Sequence, residues 1–256
     1  MCKITTIANQ KGGTGKSTTT QILGLGLVNK GKRVLLIDMD PQMSLTEFSG
    51  IEYSISEEKN VRKMFQKALL PEECIVSSKF GYDIIPSTLL LSSANREFYN
   101  FKDEFILRNS LKGIKEKYDY IFIDTPPSLG ILSLNALVCS NDVIIPITSS
   151  IASLRGFMQL YDTINELTEI HNPDIKIAGV LINMFRQTNS QKECEEALKT
   201  LTNNLNINVF NSKIRQATIV EASQSNEDNV LLVNNQKVVG DYNEFIREYL
   251  NIGEEE

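Results

Sequence analysis

The chain has 256 residues, of which 41% are hydrophobic and 23% are charged, and its formal net charge is −6. This length and composition are typical of a globular protein with one large core. The negative charge argues against a surface built throughout to bind nucleic acid, although it leaves room for a local basic patch. No apolar run reaches the roughly 18 residues of a membrane helix, and the first residues do not form a signal peptide. We therefore expect a cytoplasmic protein.

Short apolar runs alternate with helical patterns along the chain. The runs are rich in β-branched residues and are apolar on both faces, as central parallel strands are. They lie at 3–8, 32–38, 118–124, 142–147 and 176–183. This alternation predicts an α/β fold with a doubly wound, mostly parallel sheet flanked by helices. We expect a single domain over residues 1–256, in which the less regular stretch 44–115 forms an insertion-like surface.

Helical spacing is clearest in three segments, 16–30, 150–170 and 237–250. The second and third present an apolar stripe, which predicts core positions. In the second segment the stripe comprises Ile151, Leu154, Met158, Tyr161, Ile164 and Leu167. In the third it comprises Val238, Val239, Tyr242, Phe245, Ile246, Tyr249 and Leu250. The acidic end of the chain, 251–256, is expected to fray.

A glycine-rich loop, GGTGKST, joins the first predicted strand to the first predicted helix. Gly12, Gly13 and Gly15 let the backbone wrap tightly, so that successive N–H groups converge on phosphate oxygens. In such a loop Lys16 reaches the β- and γ-phosphates, and the Ser17 hydroxyl binds Mg²⁺. The strand–loop–helix context therefore predicts a nucleotide site.

The loop departs from the usual pattern, G-x-x-x-x-G-K-S/T, at its first position. Gln10 stands where a glycine belongs, and Lys11 adds a second cation that the loop's own nucleotide does not obviously need. The nucleotide-binding residues predicted in this loop are Lys11, Gly12, Gly13, Thr14, Gly15, Lys16, Ser17 and Thr18.

Three carboxylates follow apolar strands, at the sheet edge where the phosphate loop also lies. Asp38 and Asp40 follow the second strand, and Asp124 ends a later one. An aspartate in this position can hold Mg²⁺ and its water shell, and Asp40 could orient or polarise an attacking water. Taken singly, such acids are more often helix caps or turn residues. Three of them beside a phosphate loop favour a catalytic site.

The motifs KGGTGKST, DMDPQ and YDYIFIDTPPSLG together resemble the ParA/MinD superfamily of deviant Walker A ATPases, and most closely its ParA/Soj partition proteins. The resemblance covers residues 1–185 well and the remainder more loosely. It implies a P-loop fold, ATP and Mg²⁺ as cofactors, and a homodimer that sandwiches two ATP molecules. In that family the lysine that matches Lys11 reaches the nucleotide of the partner subunit, where it stabilises charge on the transferred phosphoryl group.

The resemblance also implies roles for individual residues. The family's catalytic residues correspond to Lys11, Lys16 and Asp40. Its magnesium site corresponds to Ser17, Asp124 and, through the water shell, Asp38. The adenine base falls beside Asn183 and the loop 212–218, which includes Arg215.

Non-specific DNA binding by the ATP-bound dimer is a further implication of the resemblance. The candidate residues are Arg186, Lys213 and Arg215. The match is incomplete, because Gln187 follows Arg186 and Thr218 stands where a further arginine is common in the family. Lys192 and Lys199 could compensate. A few exposed cations on an acidic protein predict weak, salt-sensitive DNA affinity.

The implied function is chromosome or plasmid partitioning, in which a ParB-like partner stimulates ATP hydrolysis and releases the dimer from DNA. A nucleoid-associated location follows from it. Because the phosphate loop begins within ten residues of Met1, the sequence matches the short form of the family, without an N-terminal winged-helix domain.

Four alternative functions share this fold or loop. A MinD-like membrane-associated ATPase needs a basic amphipathic helix at its C-terminus, whereas DYNEFIREYLNIGEEE has one arginine and six acidic residues, so no membrane is expected. An iron–sulfur reductase needs two suitably placed cysteines, which Cys139 alone cannot supply. A small-molecule ligase is disfavoured by the motif DTPPSLG. A nucleotide-gated scaffold without turnover is disfavoured by the complete set of Lys11, Lys16, Asp40 and Asp124.

Overall fold

The computed structural model describes residues 2–186 and 188–252, which contain eight strands. They are β1 Lys3–Ile7, β2 Val34–Asp38, β3 Val76–Ser77, β4 Asp83–Ile85, β5 Tyr120–Asp124, β6 Asp142–Thr148, β7 Lys176–Phe185 and β8 Val209–Arg215. The strands form one sheet in the order β3-β4-β2-β5-β1-β6-β7-β8. Only the pair β3–β4, at one edge of this described sheet, is antiparallel. The predicted mostly parallel sheet is confirmed.

Six longer helices connect or flank the strands in the described residues. They are α1 Lys16–Val28, α7 Ile131–Cys139, α8 Ile151–Ile170, α9 Asn189–Asn204, α10 Thr218–Ser225 and α11 Gln236–Ile252. Short helices lie between β2 and β5. They are α2 Ser44–Phe48, α3 Tyr53–Glu58, α4 Val61–Phe65, α5 Ala94–Glu97 and α6 Ile106–Leu111. None of the helices in the described part of the chain combines the length and apolar character needed to cross a membrane.

Both faces of the central strands are buried, as their continuous apolar sequences predict. Leu36 of β2 and Phe122 of β5 pack in one cluster with side chains of α1 and α11. Their neighbours Leu35 and Ile121 belong to a second cluster, which includes side chains of α6 and α7. Successive side chains of a strand point to opposite faces, so the sheet lies between two helical layers.

The register of the central strands positions the site. Ile7 at the end of β1 pairs with Asp124 at the end of β5, and Asp124 also pairs with Asp38 at the end of β2. Because the three strands are parallel, their carboxyl ends lie side by side at one edge of the sheet. Strand β1 lies between β5 and β6; the connection from β1 leads past β5 to β2, whereas β6 to β8 extend the sheet on the other side of β1. Open α/β sheets bind ligands where the strand order reverses in this way.

The predicted core face of α8 is partly wrong. Ile151 is 67% exposed, whereas the predicted Ile164 and Leu167 are buried. The remaining buried positions are Ser153, Gly156, Phe157 and Leu160, which are offset from the predicted stripe. The N-terminal part of α8 lies beside the phosphate loop: Ser153 Oγ is 3.4 Å from Lys11 Nζ, and a Cβ at Gly156 would be in ordinary contact with Asn9 Oδ1 at 3.5 Å.

The apolar stripe predicted in the terminal helix is confirmed by α11, where all seven positions are buried or partly buried. Tyr249 packs against the Phe122 ring at 5.8 Å, and its hydroxyl lies 2.8 Å from Thr5 Oγ1. Gly26 of α1 permits close approach, since a Cβ there would lie 2.3 Å from Ile246 Cδ1. Of the end predicted to fray, residues 251–252 belong to α11, and residues 253–256 lie outside the described residues.

The segment 44–115 is more than the predicted insertion-like surface. It contributes β3 and β4 to the sheet, and Ile84 and Ile85 of β4 are completely buried. Leu107 and Leu111 of α6 are buried as well. Sequence periodicity missed these elements because they are only two to six residues long, too short to show a repeat.

Candidate nucleotide-binding site

The phosphate loop follows β1 and leads into α1, as the sequence predicts. Gly13 and Gly15 have φ angles of 68° and 83°, a left-handed conformation that favours glycine. Gly15 directly precedes α1, so the unpaired N–H groups of the first helical turn face the loop. A Cβ atom at Gly12 or Gly13 would meet no described residue within 4 Å. The loop backbone is therefore open to a ligand at these two positions.

Lys16, at the start of α1, is only 6% exposed. Its Nζ atom lies 3.5 Å from the Lys11 carbonyl oxygen, to which it donates. Burial lowers the pKa of Lys16, and the negative charges of Asp124 and Asp40 raise it. The structure thus brings together the lysine and two of the three carboxylates that the sequence places in one site.

Asp124 is completely buried at the end of β5, and neither of its carboxylate oxygens has a hydrogen-bond partner among the described residues. Burial and the nearby charge of Asp38 raise its pKa well above the usual value, while Ser17 and Lys16 act in the opposite direction. A buried carboxylate without a partner is costly unless a cation compensates it. The residues present therefore fit Mg²⁺, and Asp124 and Ser17 are the groups that would hold it.

Asp38 braces the loop that carries Asp40. Its Oδ1 accepts the Asp40 N–H at 3.0 Å, and its Oδ2 accepts the N–H and hydroxyl of Thr46 at 2.8 and 2.7 Å. Thr46 Oγ1 accepts the Ser87 N–H at 2.9 Å, and Ser87 Oγ donates to the Asp40 carbonyl at 2.6 Å. Burial raises the pKa of Asp38 to about 7. Its predicted role in the Mg²⁺ water shell stays a prediction.

Asp40 itself is 9% exposed, and its Oδ1 accepts the Gln42 N–H at 3.0 Å. Burial raises the pKa of Asp40, against the opposing effects of that hydrogen bond and of Lys16. A carboxylate with a raised pKa is a stronger proton acceptor. Asp40 is thus suited to hold a water molecule beside the phosphates.

Lys11 extends away from the buried acids and toward the end of β6. Its Nζ lies 2.9 Å from Ser150 Oγ, 3.2 Å from Thr148 Oγ1 and 3.4 Å from Ser153 Oγ. We call these three side chains the hydroxyl triad. The Lys11 N–H donates to Asn9 Oδ1 at 2.9 Å. Sequence reasoning missed the triad, although its signal is visible in the hydroxyl-rich stretch TSSIAS.

Asn183, near the end of β7, is 4% exposed and lies against the phosphate loop. Its Nδ2 donates to the Thr14 carbonyl at 2.9 Å, and its Oδ1 accepts the Met184 N–H at 2.9 Å. A Cβ at Gly15 would lie 2.2 Å from Asn183 Nδ2. The amide therefore supports the loop directly, whereas the resemblance implies contact with the adenine base.

The expected loop 212–218 is mostly regular structure. Residues 212–215 belong to β8, and α10 begins at Thr218, which leaves Gln216 and Ala217 as the connection. Arg215 Nε and Nη2 lie 2.6 and 2.7 Å from the Asp241 carboxylate. A small cavity is nevertheless present on this side of the loop. It is lined by residues that include Gly15, Thr18, Asn183, Met184, Arg215 and Gln216.

The candidate DNA-binding cations have partners within the chain. Lys213 forms an ion pair with Glu195, which also lies 3.3 Å from Lys199 Nζ. Arg186 Nε donates to Gln216 Oε1 at 2.6 Å. Gln187, the residue at which the family match is incomplete, lies outside the described residues. The DNA-binding assignments stay predictions.

Gln224 of α10 is a site residue that the sequence did not reveal. It is 5% exposed, and its Nε2 lies 3.2 Å from Thr18 Oγ1 and 3.1 Å from Gln21 Oε1. Gln21 Nε2 in turn donates to the Phe48 carbonyl at 2.7 Å. These contacts connect α10, which flanks the small cavity, with α1 and α2. A glutamine in a helix is usually a surface residue, so its sequence gives no sign of this role.

The fold and the loop geometry define a P-loop nucleotide-binding protein. A family model described as an AAA domain matches residues 2–177. The sporulation initiation inhibitor protein Soj of Bacillus subtilis (strain 168) is 40% identical over 186 residues, which cover 72% of this chain and 74% of Soj. The chain belongs to this AAA-domain family and, within it, to the ParA/Soj-type partition ATPases.

Two solved structures match nearly the whole chain. A plasmid partition protein from Borrelia burgdorferi B31, bound to AMPPNP, has a TM-score of 0.80 at 30% identity and covers 100% of this chain and 99% of its own. Cobyrinic acid a,c-diamide synthase from Mycobacterium smegmatis, with bound ADP and magnesium, has a TM-score of 0.84 at 28% identity and covers 99% and 96%. The ligands of these proteins agree with the predicted cofactors.

Replacing Asp124 by Asn tests the magnesium assignment. Without nucleotide and Mg²⁺, we expect the free energy of unfolding to rise by about 1–3 kcal/mol, because a neutral amide replaces a buried, unpartnered carboxylate. We also expect the variant to lose the stabilisation that Mg²⁺ and ATP give the wild type. Urea unfolding with and without both ligands measures the two effects. The exposed Asp162→Asn serves as control, and full ligand-induced stabilisation of the Asp124 variant would contradict the assignment.

Replacing Asn183 by Ala tests whether this residue supports the phosphate loop or binds the adenine base. If Asn183 supports the loop, affinity for ATP and for inorganic tripolyphosphate should both fall about fivefold, the effect of one lost hydrogen bond. Isothermal titration of both ligands measures this, with the exposed Asn203→Ala as control. Weakened ATP binding with unchanged tripolyphosphate binding would show that Asn183 contacts the base instead.

Proposed function

We propose that this chain is a ParA-type ATPase that converts ATP to ADP and phosphate and serves chromosome or plasmid partitioning. The observation that carries the proposal is the different placement of its two loop lysines. Lys16 is buried beside Asp40 and Asp124, whereas Lys11 is held at the end of β6 by the hydroxyl triad. We therefore propose that Lys16 serves the chain's own nucleotide and that Lys11 reaches the nucleotide of a second subunit. The identity to Soj supports the same function.

The reaction is a phosphoryl transfer to water in which positioning and charge stabilisation do most of the work. The loop N–H groups and the Lys16 ammonium hold the phosphates. Asp40 accepts a hydrogen bond from the attacking water and aligns it, while Asp38 fixes the backbone of Asp40 through the contacts described above. A bound Mg²⁺, held by Ser17 and Asp124, supplies neutralisation of phosphate charge.

Two subunits would face each other across their nucleotides, so that Lys11 of each reaches the phosphates bound by the other. A cation supplied across the interface stabilises the charge that develops in the transition state. Hydrolysis then depends on the assembled homodimer, and a ParB-like partner would accelerate it. This dependence lets nucleotide state control association.

For DNA binding by the ATP-bound dimer, this chain offers fewer unpaired cations than its sequence suggests. Arg186 is exposed, but Lys213 and Arg215 are engaged with Glu195 and Asp241. Pairing reduces the field that each cation presents to a phosphate backbone. We propose that the protein binds DNA weakly and with a strong dependence on salt. A dimer would make twice as many phosphate contacts as a single subunit. Association with the nucleoid would be reversible for that reason.

The structural similarity to cobyrinic acid a,c-diamide synthase makes a ligase the second candidate function. A ligase couples ATP cleavage to an acceptor substrate, whereas a partition ATPase transfers the phosphoryl group to water. Release of ADP and phosphate without any added acid or amine favours the partition function. Turnover that requires such an acceptor would favour the ligase.

Replacing Asp40 by Ala tests the hydrolytic site. We expect ATP hydrolysis to fall at least about a hundredfold, because the water loses its general base and orienting group, while ATP-dependent dimers still form. Phosphate release and analytical ultracentrifugation measure the two properties, and the exposed Asp162→Ala is the control. Loss of dimers together with hydrolysis would assign Asp40 to structure rather than to catalysis.

Replacing Arg186 by Glu tests the DNA surface. Co-sedimentation with DNA in ADP, in ATP and without nucleotide, across a salt series, should show binding by the wild type in ATP only. The variant should bind more weakly, with the log–log salt dependence reduced by about two, one for each subunit of the dimer. Arg247→Glu makes the same charge change at an exposed site on α11 and is the control. Equal losses in both variants would indicate a general charge effect and remove Arg186 from the interface.

A further inference from the structure

We infer that Thr148, Ser150 and Ser153 are positioning residues that hold Lys11 within its own subunit and govern its release to a partner. The inference rests on the proposed nucleotide sandwich, because it concerns the same lysine. It adds a second state for that lysine, occupied before the partner arrives. It also assigns a role to three side chains at the β6–α8 junction.

The contacts of the hydroxyl triad match the chemistry of an ammonium group. A lysine has three N–H donors and no acceptor, and Lys11 Nζ has three hydroxyl oxygens within 3.4 Å. The hydroxyls are also close to one another: Ser153 Oγ lies 2.8 Å from Thr148 Oγ1 and 3.0 Å from Ser150 Oγ. The triad is therefore a connected cluster that can accept all three N–H groups.

The backbone of Lys11 is fixed to the same part of the fold. Asn9 Nδ2 donates to the Pro146 carbonyl of β6 at 2.7 Å, and Asn9 Oδ1 accepts the Lys11 N–H. Gly156 of α8 lies beside this segment, since a Cβ there would be 4.0 Å from the Lys11 nitrogen, an ordinary contact distance. Lys11 is thus anchored at its backbone while its side chain lies in the triad. Release requires rotation of the side chain alone, without movement of the loop.

The hydroxyl triad is uncharged, so its contacts with Lys11 can be exchanged for stronger ones. Within the described residues, no ion pair joins Lys11 to a carboxylate. Hydrogen bonds to neutral hydroxyls are weaker than those to charged acceptors. The phosphates of a partner's ATP are charged acceptors, and they can therefore draw Lys11 away. A carboxylate in the triad would compete with the phosphates much more strongly.

The first test is made on the nucleotide-free protein and needs no dimer. Acylation of the Lys11 amine by an N-hydroxysuccinimide ester, followed by mass spectrometry, compares the wild type with the double variant Thr148→Val/Ser153→Ala. This variant keeps Ser150, whose Oγ accepts the Ser153 N–H and caps α8. We expect Lys11 to react about three- to tenfold faster in the variant, since it loses two acceptors. Ser149→Ala, which removes a neighbouring hydroxyl outside the triad, should react like the wild type.

Equal Lys11 reactivity in the wild type and the double variant would overturn the inference. Circular dichroism of each protein establishes that folding is retained. If the double variant does not fold, Ser153→Ala alone gives the same comparison with a smaller expected increase.

The second test follows ATP-dependent dimerisation. Thr148→Val/Ser153→Ala should lower the ATP concentration at half-dimerisation about fivefold, because Lys11 is released more readily. Ser150→Asp, which preserves a capping side chain, should raise it by a similar factor. In a Lys11→Ala background, both effects should disappear, since the triad then has no lysine to hold.

The outcomes separate this inference from the proposed function. If the wild type dimerises with ATP but neither triad variant shifts the midpoint, the triad does not govern release and the inference is overturned. Shifts that persist in the Lys11→Ala background would also overturn it, because they would act through the interface itself. If the wild type forms no ATP-dependent dimer, the proposed sandwich fails, while Lys11 acylation still decides whether the triad holds the lysine.

Discussion

The parallel register of β1, β2 and β5 is the constraint on which the rest of the site depends. It ends the three strands at Ile7, Asp38 and Asp124, and so places the phosphate loop beside two buried carboxylates. Burial raises the pKa of both acids, and in the described part of the chain the Asp124 carboxylate has no hydrogen-bond partner. The two buried carboxylates, Asp38 and Asp124, are therefore electrostatically unfavourable at this edge of the sheet. A bound cation would relieve that arrangement, which would link binding of Mg²⁺ and nucleotide to stability.

In the proposed dimer, the two loop lysines would stabilise phosphate charge on different subunits. Lys16 is desolvated next to the acids and can stabilise phosphate charge at close range, because low local polarity strengthens the interaction. Lys11 lies outside that buried cluster, on neutral hydroxyls. If Lys11 completes the site of a partner subunit, as proposed, a single subunit would be inactive and the dimer active. Association and hydrolysis would thereby be coupled.

Short-range patterns in the sequence were sufficient to predict the central sheet and the loop. Apolar strands followed by Asp38 or Asp124, and glycines followed by Lys16, act through local geometry and appear where expected. The offset face of α8 could not be predicted from the helix alone. Ile151 is exposed and Ser153 is buried, because Ser153 faces the phosphate loop. Periodicity describes a helix alone and contains no information about its neighbour.

Long-range polar contacts were equally invisible in the sequence. Asn183 supports the Thr14 carbonyl across 169 positions, and Gln224 reaches Thr18 across 206. The pairing of Arg215 with Asp241 likewise joins β8 to α11 and leaves less free charge than the sequence suggests. Such contacts depend on the finished topology. Residue type and spacing alone cannot distinguish them from ordinary surface groups.

A mixing experiment tests most directly whether Lys11 serves the partner's nucleotide. Lys11→Ala and Asp40→Ala are each expected to be inactive alone. In their heterodimer, the Lys11→Ala subunit keeps its own Asp40 and receives Lys11 from its partner, so one of two sites is complete. An equal mixture should recover about a quarter of the wild-type ATPase rate for random pairing of a twofold dimer. No recovery, with heterodimers present, would contradict the account, because it would place Lys11 on the nucleotide of its own subunit.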